Sequence, residues 1–196
     1  MVMNKFIKKL YKIIILIIKL LLFIDILENY LIKNYYFVLI GLVALILTFL
    51  PEILAKILKT KLNELMSFSI VFFMFISLYL GTLKNFYRFI WWDTMLHLIS
   101  GLILGLLAIV LMENLNMENF SSHLLNPKFI FLYILSFVAL CGVIWEIYEF
   151  TVDTLFGLDM QGASFTGVVD TMEDLIADLV GGIIPAIYGY ITFKNK

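Results

Sequence analysis

Carboxylates and one imidazole recur at helical spacing in an otherwise apolar chain, and these are groups with which proteins bind divalent metal ions. They occur in three segments: Asp93 with His97, Glu146 with Glu149 and Asp153, and Asp170 with Asp174 and Asp178. Residues three or four positions apart lie on the same face of an α-helix, so each segment presents its polar groups in one direction. We predict that these residues form one site that binds a divalent metal or another cation.

The ligand chemistry suggests which ions and which reactions suit such a site. Carboxylates with one histidine suit Mg²⁺, Mn²⁺, Fe²⁺ or Zn²⁺. Such an ion can activate water or polarise a lipid-linked substrate, which predicts a metal-dependent membrane enzyme. Two alternatives stay open: a proton- or cation-coupled transporter, and a structural or assembly protein whose acids form a buried polar network. The sequence contains no HExxH, GxSxG or P-loop motif, so it specifies no reaction.

The composition indicates an integral membrane protein. Of 196 residues, 63% are hydrophobic and 15% are charged, and the mean hydropathy is +1.03. Soluble domains are about half apolar and about a quarter charged, so the excess of apolar side chains predicts contact with a lipid bilayer. The net charge of -1 gives no basic signature for a nucleic-acid partner, and the single arginine, Arg88, argues against a site that binds phosphate with several guanidinium groups. The one cysteine, Cys141, cannot form an intramolecular disulfide.

The apolar runs predict an all-α polytopic transmembrane bundle. A spanning helix needs about 20 apolar residues, and we place six spans at about 10–32, 34–51, 65–83, 90–112, 129–154 and 169–193. The first is the weakest candidate for a span, because charged residues interrupt it and it could lie in the interface. Pro51 is expected to end the second span before a basic loop at 52–64. A glycine-containing turn is expected at 155–168. We predict one transmembrane domain over 1–196, with an N-terminal helix at 1–33 and a core at 65–193 that carries the acidic site.

The positions of the basic residues predict the orientation in the membrane. With six spans and a cytoplasmic N-terminus, most lysines lie inside, and Lys33, Lys84 and Arg88 lie outside. The sequence therefore predicts cytoplasmic N- and C-termini in a multi-pass protein of the prokaryotic inner membrane. On this topology the acids of the last three spans all lie near the outer leaflet.

Purely structural roles are the competing interpretation of these acids. Asp170 and Asp174, in the first turns of a predicted helix, complement its dipole. The acids of the 129–154 span could instead pair with Lys84 or Arg88. Asp25 and Glu28 are interpreted as interfacial residues outside the site. The small-xxx-small pattern Gly101–Gly105 predicts that another helix approaches closely there.

Three motifs together suggest a family. They are Trp92-Asp93-Thr94-Met95-Leu96-His97 followed by Gly101, Trp145-Glu146-Ile147-Tyr148-Glu149-Phe150, and Met160-Gln161-Gly162 with Asp170-Thr171-Met172-Glu173-Asp174. Their order and spacing over about residues 65–193 resemble the YjdF-like family of inner-membrane proteins. The resemblance implies a multi-helix membrane protein and supports the candidate residues, but it implies no reaction. This sequence differs from the family pattern in a longer stretch before Asp170 and in Asp178, which looks additional.

Overall fold

The structure is a computed structural model that describes residues 5–115 and 126–194, and all regular elements in these ranges are helical. The helices are α1 (Lys5–Leu31), α2 (Tyr35–Leu47), α3 (Leu50–Ile57), α4 (Glu64–Met74), α5 (Trp91–Leu115), α6 (Pro127–Phe156), α7 (Ala163–Thr166) and α8 (Val169–Lys194). A π-helix, Phe75–Leu83, continues α4, and a short 3₁₀ turn follows at Phe86–Arg88. The predicted all-α class is therefore confirmed.

Four of these segments are long and apolar enough to cross a membrane: Glu64–Leu83, Trp91–Asn114, Pro127–Phe156 and Val169–Lys194. The pair Tyr35–Leu47 and Leu50–Ile57 makes a fifth if the two bent helices are one span. Helix α1 is not in this set, because charged residues that include Lys19, Asp25 and Glu28 interrupt its apolar run. The structure thus supports four or five spans by length and composition.

The predicted loop at 52–64 is wrong in its first half. Residues 50–57 form helix α3, which meets α2 at a 48° bend. Pro51 lies in the first turn of α3. Proline is favourable there, because N–H groups of the first turn have no acceptor within the helix and because the fixed φ of proline matches the helical value. The proline therefore lies at the start of a second helix, whereas the sequence predicts only the end of the first.

The chain divides into two compact units, Met1–Trp92 and Asp93–Lys196. In unit 1, α1 packs against α2 and α4 around the buried side chains of Ile18, Leu22, Ala44 and Val71. The single transmembrane domain expected from the sequence stays a prediction.

Unit 2 contains α5, α6 and α8, together with the short α7. One end of this unit is filled by apolar side chains, namely Ala108, Ile109, Met112, Ile130, Ile134, Ala186 and Phe193. A Cβ on Gly101 would collide with the backbone carbonyl of Asp178, and a Cβ on Gly181 would collide with that of Leu98. A Cβ on Gly105 would meet Pro185. The close approach predicted at Gly101–Gly105 is confirmed, and α8 is the helix that approaches.

Candidate metal centre

The contact between α5 and α8 brings three potential metal ligands together. Asp93 and His97 lie one turn apart on α5, and Asp174 lies on the facing part of α8. Each of these residues offers one ligand atom, and the three atoms all lie within 4.8 Å of one another. His97 and Asp174 are buried, with 6% and 2% of their surface exposed. Because Gly101 and Gly181 bring the two backbones close together one to two turns further along, short carboxylate side chains can meet the imidazole ring.

The imidazole of His97 lies between two carboxylates. Its Nδ1 atom is 3.1 Å from Oδ2 of Asp178, and its Nε2 atom is 3.8 Å from Oδ2 of Asp174. The hydroxyl of Ser100 donates a hydrogen bond to Oδ1 of Asp178, which orients that carboxylate. Asp178 is only 2% exposed. Asp178 therefore contacts the side of the ring that faces away from Asp174, and it holds the ring in place.

Helix α6 supplies two more buried carboxylates, Glu146 and Glu149, spaced one turn apart on one face. The indole Nε1 of Trp145 donates to Oε1 of Glu149 at 2.8 Å. The side-chain amide of Gln161 donates to Oε2 of Glu146 at 3.3 Å, and it lies 3.2 Å from the hydroxyl of Thr171. Each glutamate therefore has one oxygen held by a protein donor.

The second oxygen of each glutamate has no such donor. Within the described ranges, Oε1 of Glu146 and Oε2 of Glu149 are buried and have no hydrogen-bond partner. A buried carboxylate oxygen without a donor is costly, because it has lost its hydration. These two atoms are the polar groups of the site that most need an external partner.

The carboxylates of unit 2 are also close enough to repel one another. Glu149 interacts electrostatically with Asp93 and Glu146, and Asp174 interacts with Asp93, Asp170 and Glu146. Between residues 93 and 196 the sequence has no arginine and only three lysines, Lys128, Lys194 and Lys196. Lys128 precedes Glu146 by about 27 Å along α6, and Lys194 follows Asp174 by about 30 Å along α8. No lysine or arginine of unit 2 is therefore placed to neutralise the cluster.

Two predicted site residues, Asp153 and Asp170, are half-buried and contact the connection between α6 and α8. The carboxylate oxygens of Asp153 accept the backbone N–H groups of Met160 and Gln161, at 2.8 and 3.0 Å. Asp170 is half-buried, and a Cβ on Gly162 would lie 2.8 Å from its Oδ2 atom. Gly162 has a positive φ of 59°, as the glycine-containing turn predicted at 155–168 requires. Asp153 thus holds the loop, and the loop in turn holds Gln161 against Glu146.

Three residues that contact the site were not among the predicted site residues. Ser100 and Trp145 act through hydrogen bonds to Asp178 and Glu149, and Gln161 acts through Glu146. The sequence signal for Gln161 was its position in the Met160-Gln161-Gly162 motif. Ser100 had a weaker signal, because it follows His97 by three residues and so shares its helix face.

Comparison with protein families agrees with the membrane character of the chain. The model of a family described as "Predicted membrane protein (DUF2238)" matches residues 10–195. No curated protein and no solved structure matches the chain.

Proposed function

This chain belongs to the DUF2238 family of predicted membrane proteins, and from that premise we propose that it is a multi-pass membrane protein that binds a divalent metal ion. The proposed ligands are Asp93, His97 and Asp174. The observation that carries the proposal is that these three offer ligand atoms within 4.8 Å of one another, two of them from buried residues. An acidic cluster alone would be weak support, since exposed acids commonly lie together without an ion.

The orientation of His97 supports the same interpretation. A histidine that binds a metal through one nitrogen commonly donates the N–H of the other to a carboxylate, which fixes the ring and raises its basicity. Asp178 is placed to accept from Nδ1 of His97, and this leaves Nε2 directed toward Asp174. We propose that Asp178 is a positioning residue and that Nε2 is the ligand atom.

The charge balance of unit 2 supports a cation as well. Buried carboxylates without nearby lysine or arginine repel one another and lose their hydration, and a divalent ion offsets both costs. Because one ligand is an imidazole, Mn²⁺, Fe²⁺ and Zn²⁺ suit the site better than Mg²⁺, which prefers oxygen ligands.

The arrangement favours an enzyme over a transporter. The apolar residues that include Ala108, Ile130 and Ala186 fill the far end of unit 2, so a one-sided site fits better than a polar path through the bundle. Three protein ligands leave coordination positions for water and substrate. We propose that the metal activates water or polarises a lipid-linked substrate at the membrane surface.

The experiment is metal analysis of the purified full-length protein after loading with Mn²⁺, Fe²⁺ or Zn²⁺ and removal of free ions. We expect at least one ion per wild-type chain. Asp174→Asn should lose it, whereas Glu173→Gln, an exposed acid one residue earlier on α8, should keep it. Asp178→Asn should weaken the affinity by about 10–100-fold through His97. A wild type that retains no ion, with a melting temperature that none of the three ions raises, would sink the proposal.

Removing the metal separates a functional site from an assembly role. Besides the polar groups of the site, α5 and α8 are held by close packing at Gly101, Gly105 and Gly181, so we expect the chelated protein to stay folded with a lower melting temperature. Unfolding of the bundle on chelation would instead favour a structural metal and the assembly alternative.

We also propose six spans, cytoplasmic N- and C-termini and the prokaryotic inner membrane as the location. Apart from the lysine distribution, α1 supports this topology because apolar side chains are exposed around it, including Leu16, Leu20 and Phe23. In a Cys141→Ser background, an impermeant thiol reagent applied to intact cells should label Lys33→Cys and spare Lys5→Cys. Labelling of both positions, or of Lys5→Cys alone, would overturn the proposed topology.

A further inference from the structure

We propose that Glu146 and Glu149 form a second cation site next to the Asp93–His97–Asp174 site, with Asp93 shared between them. This inference rests on the proposed function, because it makes the mononuclear centre one half of a dinuclear one. Neither glutamate belongs to the group of residues whose ligand atoms converge around His97.

The first argument is the state of the two carboxylates. Glu146 and Glu149 are 5% and 4% exposed, and each has one oxygen bound by a protein donor and one buried oxygen with no partner in the described ranges. Carboxylates that bind metals in proteins are themselves held by hydrogen bonds from outer residues. Trp145 and Gln161 supply those bonds here, which leaves one free oxygen on each glutamate for a cation.

The second argument is position. A Cβ on Gly142, one turn before Glu146 on α6, would lie 2.7 Å from Oδ2 of Asp178, so this face of α6 packs against the part of α8 that contacts His97. Asp93 interacts electrostatically with His97 and Glu146, and its charge also acts on Glu149. We therefore assign Asp93 as the shared ligand, because a carboxylate with two oxygens can bind two metal ions.

The third argument is charge. The cluster contains Asp93, Glu146, Glu149, Asp174 and Asp178, and a single divalent ion offsets only two of these charges. A second ion would bring the balance close to neutral without any lysine or arginine. Paired metal ions that share carboxylates serve hydrolytic and phosphoryl-transfer enzymes, where they stabilise both the attacking and the leaving oxygen.

The two sites should differ in ion preference. The site with His97 includes a nitrogen ligand, whereas the second site contains only carboxylates and therefore suits hard ions such as Mn²⁺ and Mg²⁺. Mn²⁺ suits both sites, so it is the probe that should fill them together.

The test is the number of Mn²⁺ ions per chain at equilibrium dialysis of the full-length protein, with electron paramagnetic resonance of the loaded sample. We expect two ions and a spin-coupled spectrum for the wild type and for the exposed-acid control Glu173→Gln. Glu149→Gln should bind one ion, with the spectrum of an isolated Mn²⁺. Glu146→Gln removes the other proposed ligand and serves as a second variant, with the same expectation, if Glu149→Gln does not fold.

The other outcomes separate this inference from the proposed function. One ion in the wild type and still one in both glutamine variants would overturn the second site and leave the first intact. Two ions in the wild type and two in both variants would also overturn it, because the second ion would then lie elsewhere. No ion in any sample would remove both the inference and the proposed function.

Discussion

Both units bury carboxylates, but the counter-charges of these carboxylates differ. In unit 1, Asp25 is 2% exposed, forms an ion pair with Lys84 and accepts a hydrogen bond from Asn29 at 3.0 Å. In unit 2, Asp174 is also 2% exposed, yet Lys128 and Lys194 lie far along the helices and the nearby basic group is the imidazole of His97, at 3.8 Å. Burial alone therefore does not distinguish a structural acid from a proposed ligand. On the proposed function, the difference is whether the fold provides a lysine as the counter-charge.

The ion pair in unit 1 gives Asp25 a partner outside the candidate site. Asp25 is buried and pairs with Lys84, 59 positions later in the chain, while its predicted interfacial location stays a prediction. Lys84 was also considered a partner for the acids of α6. Its ammonium group instead pairs with Asp25, and this hydrogen bond raises the pKa of Lys84 above its ordinary value.

The largest effect we expect in this comparison comes from Lys84→Met, which leaves the buried Asp25 charge without its partner. Breaking a fully buried pair costs about 3–5 kcal/mol. Because the Lys84 side chain is 39% exposed, we expect a loss of about 2 kcal/mol in stability. At about 2–4 °C per kcal/mol for a chain of this size, thermal unfolding in detergent should show the change clearly.

Two further variants make that measurement decisive. Lys8→Met breaks an ion pair with Glu64 in which the two side chains are 40% and 41% exposed, and it should leave the melting temperature unchanged. Asp25→Asn combined with Lys84→Met should recover most of the loss, because no unpaired buried charge remains. Equal effects of Lys84→Met and Lys8→Met would show that the Asp25–Lys84 pair contributes no more to stability than an exposed ion pair.

The pH dependence of this pair has a definite sign. The folded pKa of Lys84 is raised, so the stabilisation is fully present below the unfolded lysine pKa of about 10.4 and is lost as the pH rises through the folded value. The difference between Lys84→Met and the wild type should therefore be constant from pH 6 to pH 9.

The helices of unit 2 were predictable because their apolar runs are long. The predicted spans at 129–154 and 169–193 correspond to Pro127–Phe156 and Val169–Lys194. Helix α3 was missed because proline is compatible both with the end of one helix and with the first turn of the next. The stretch between the predicted spans at 90–112 and 129–154 lies largely outside the described residues, and α6 already begins at Pro127.

The candidate site was predictable in part for a related reason. Helical spacing places Asp93 with His97 and Asp174 with Asp178, and the structure brings Asp93, His97 and Asp174 together. Spacing does not specify how one helix is rotated against another, so it could not show that Asp178 contacts His97 from the side away from Asp174. It also could not show that Asp153 binds backbone N–H groups of the following loop, because that role depends on how the loop folds.

The smaller effect we expect is opposite in sign between the units. In metal-free protein, Glu149→Gln removes a buried charge that is repelled by Asp93 and Glu146, and it keeps an oxygen that can accept from Trp145. We therefore expect the melting temperature in chelator to rise by about 2–4 °C, which corresponds to about 1 kcal/mol. Asp25→Asn in unit 1 should lower the melting temperature, because the Asp25 carboxylate has its counter-charge in Lys84.

Glu173→Gln, exposed on α8, is the control for a general effect of charge and should leave the melting temperature unchanged. A fall for Glu149→Gln as large as that for Asp25→Asn would mean that the fold stabilises this carboxylate without a cation, and the distinction between the two units would fail.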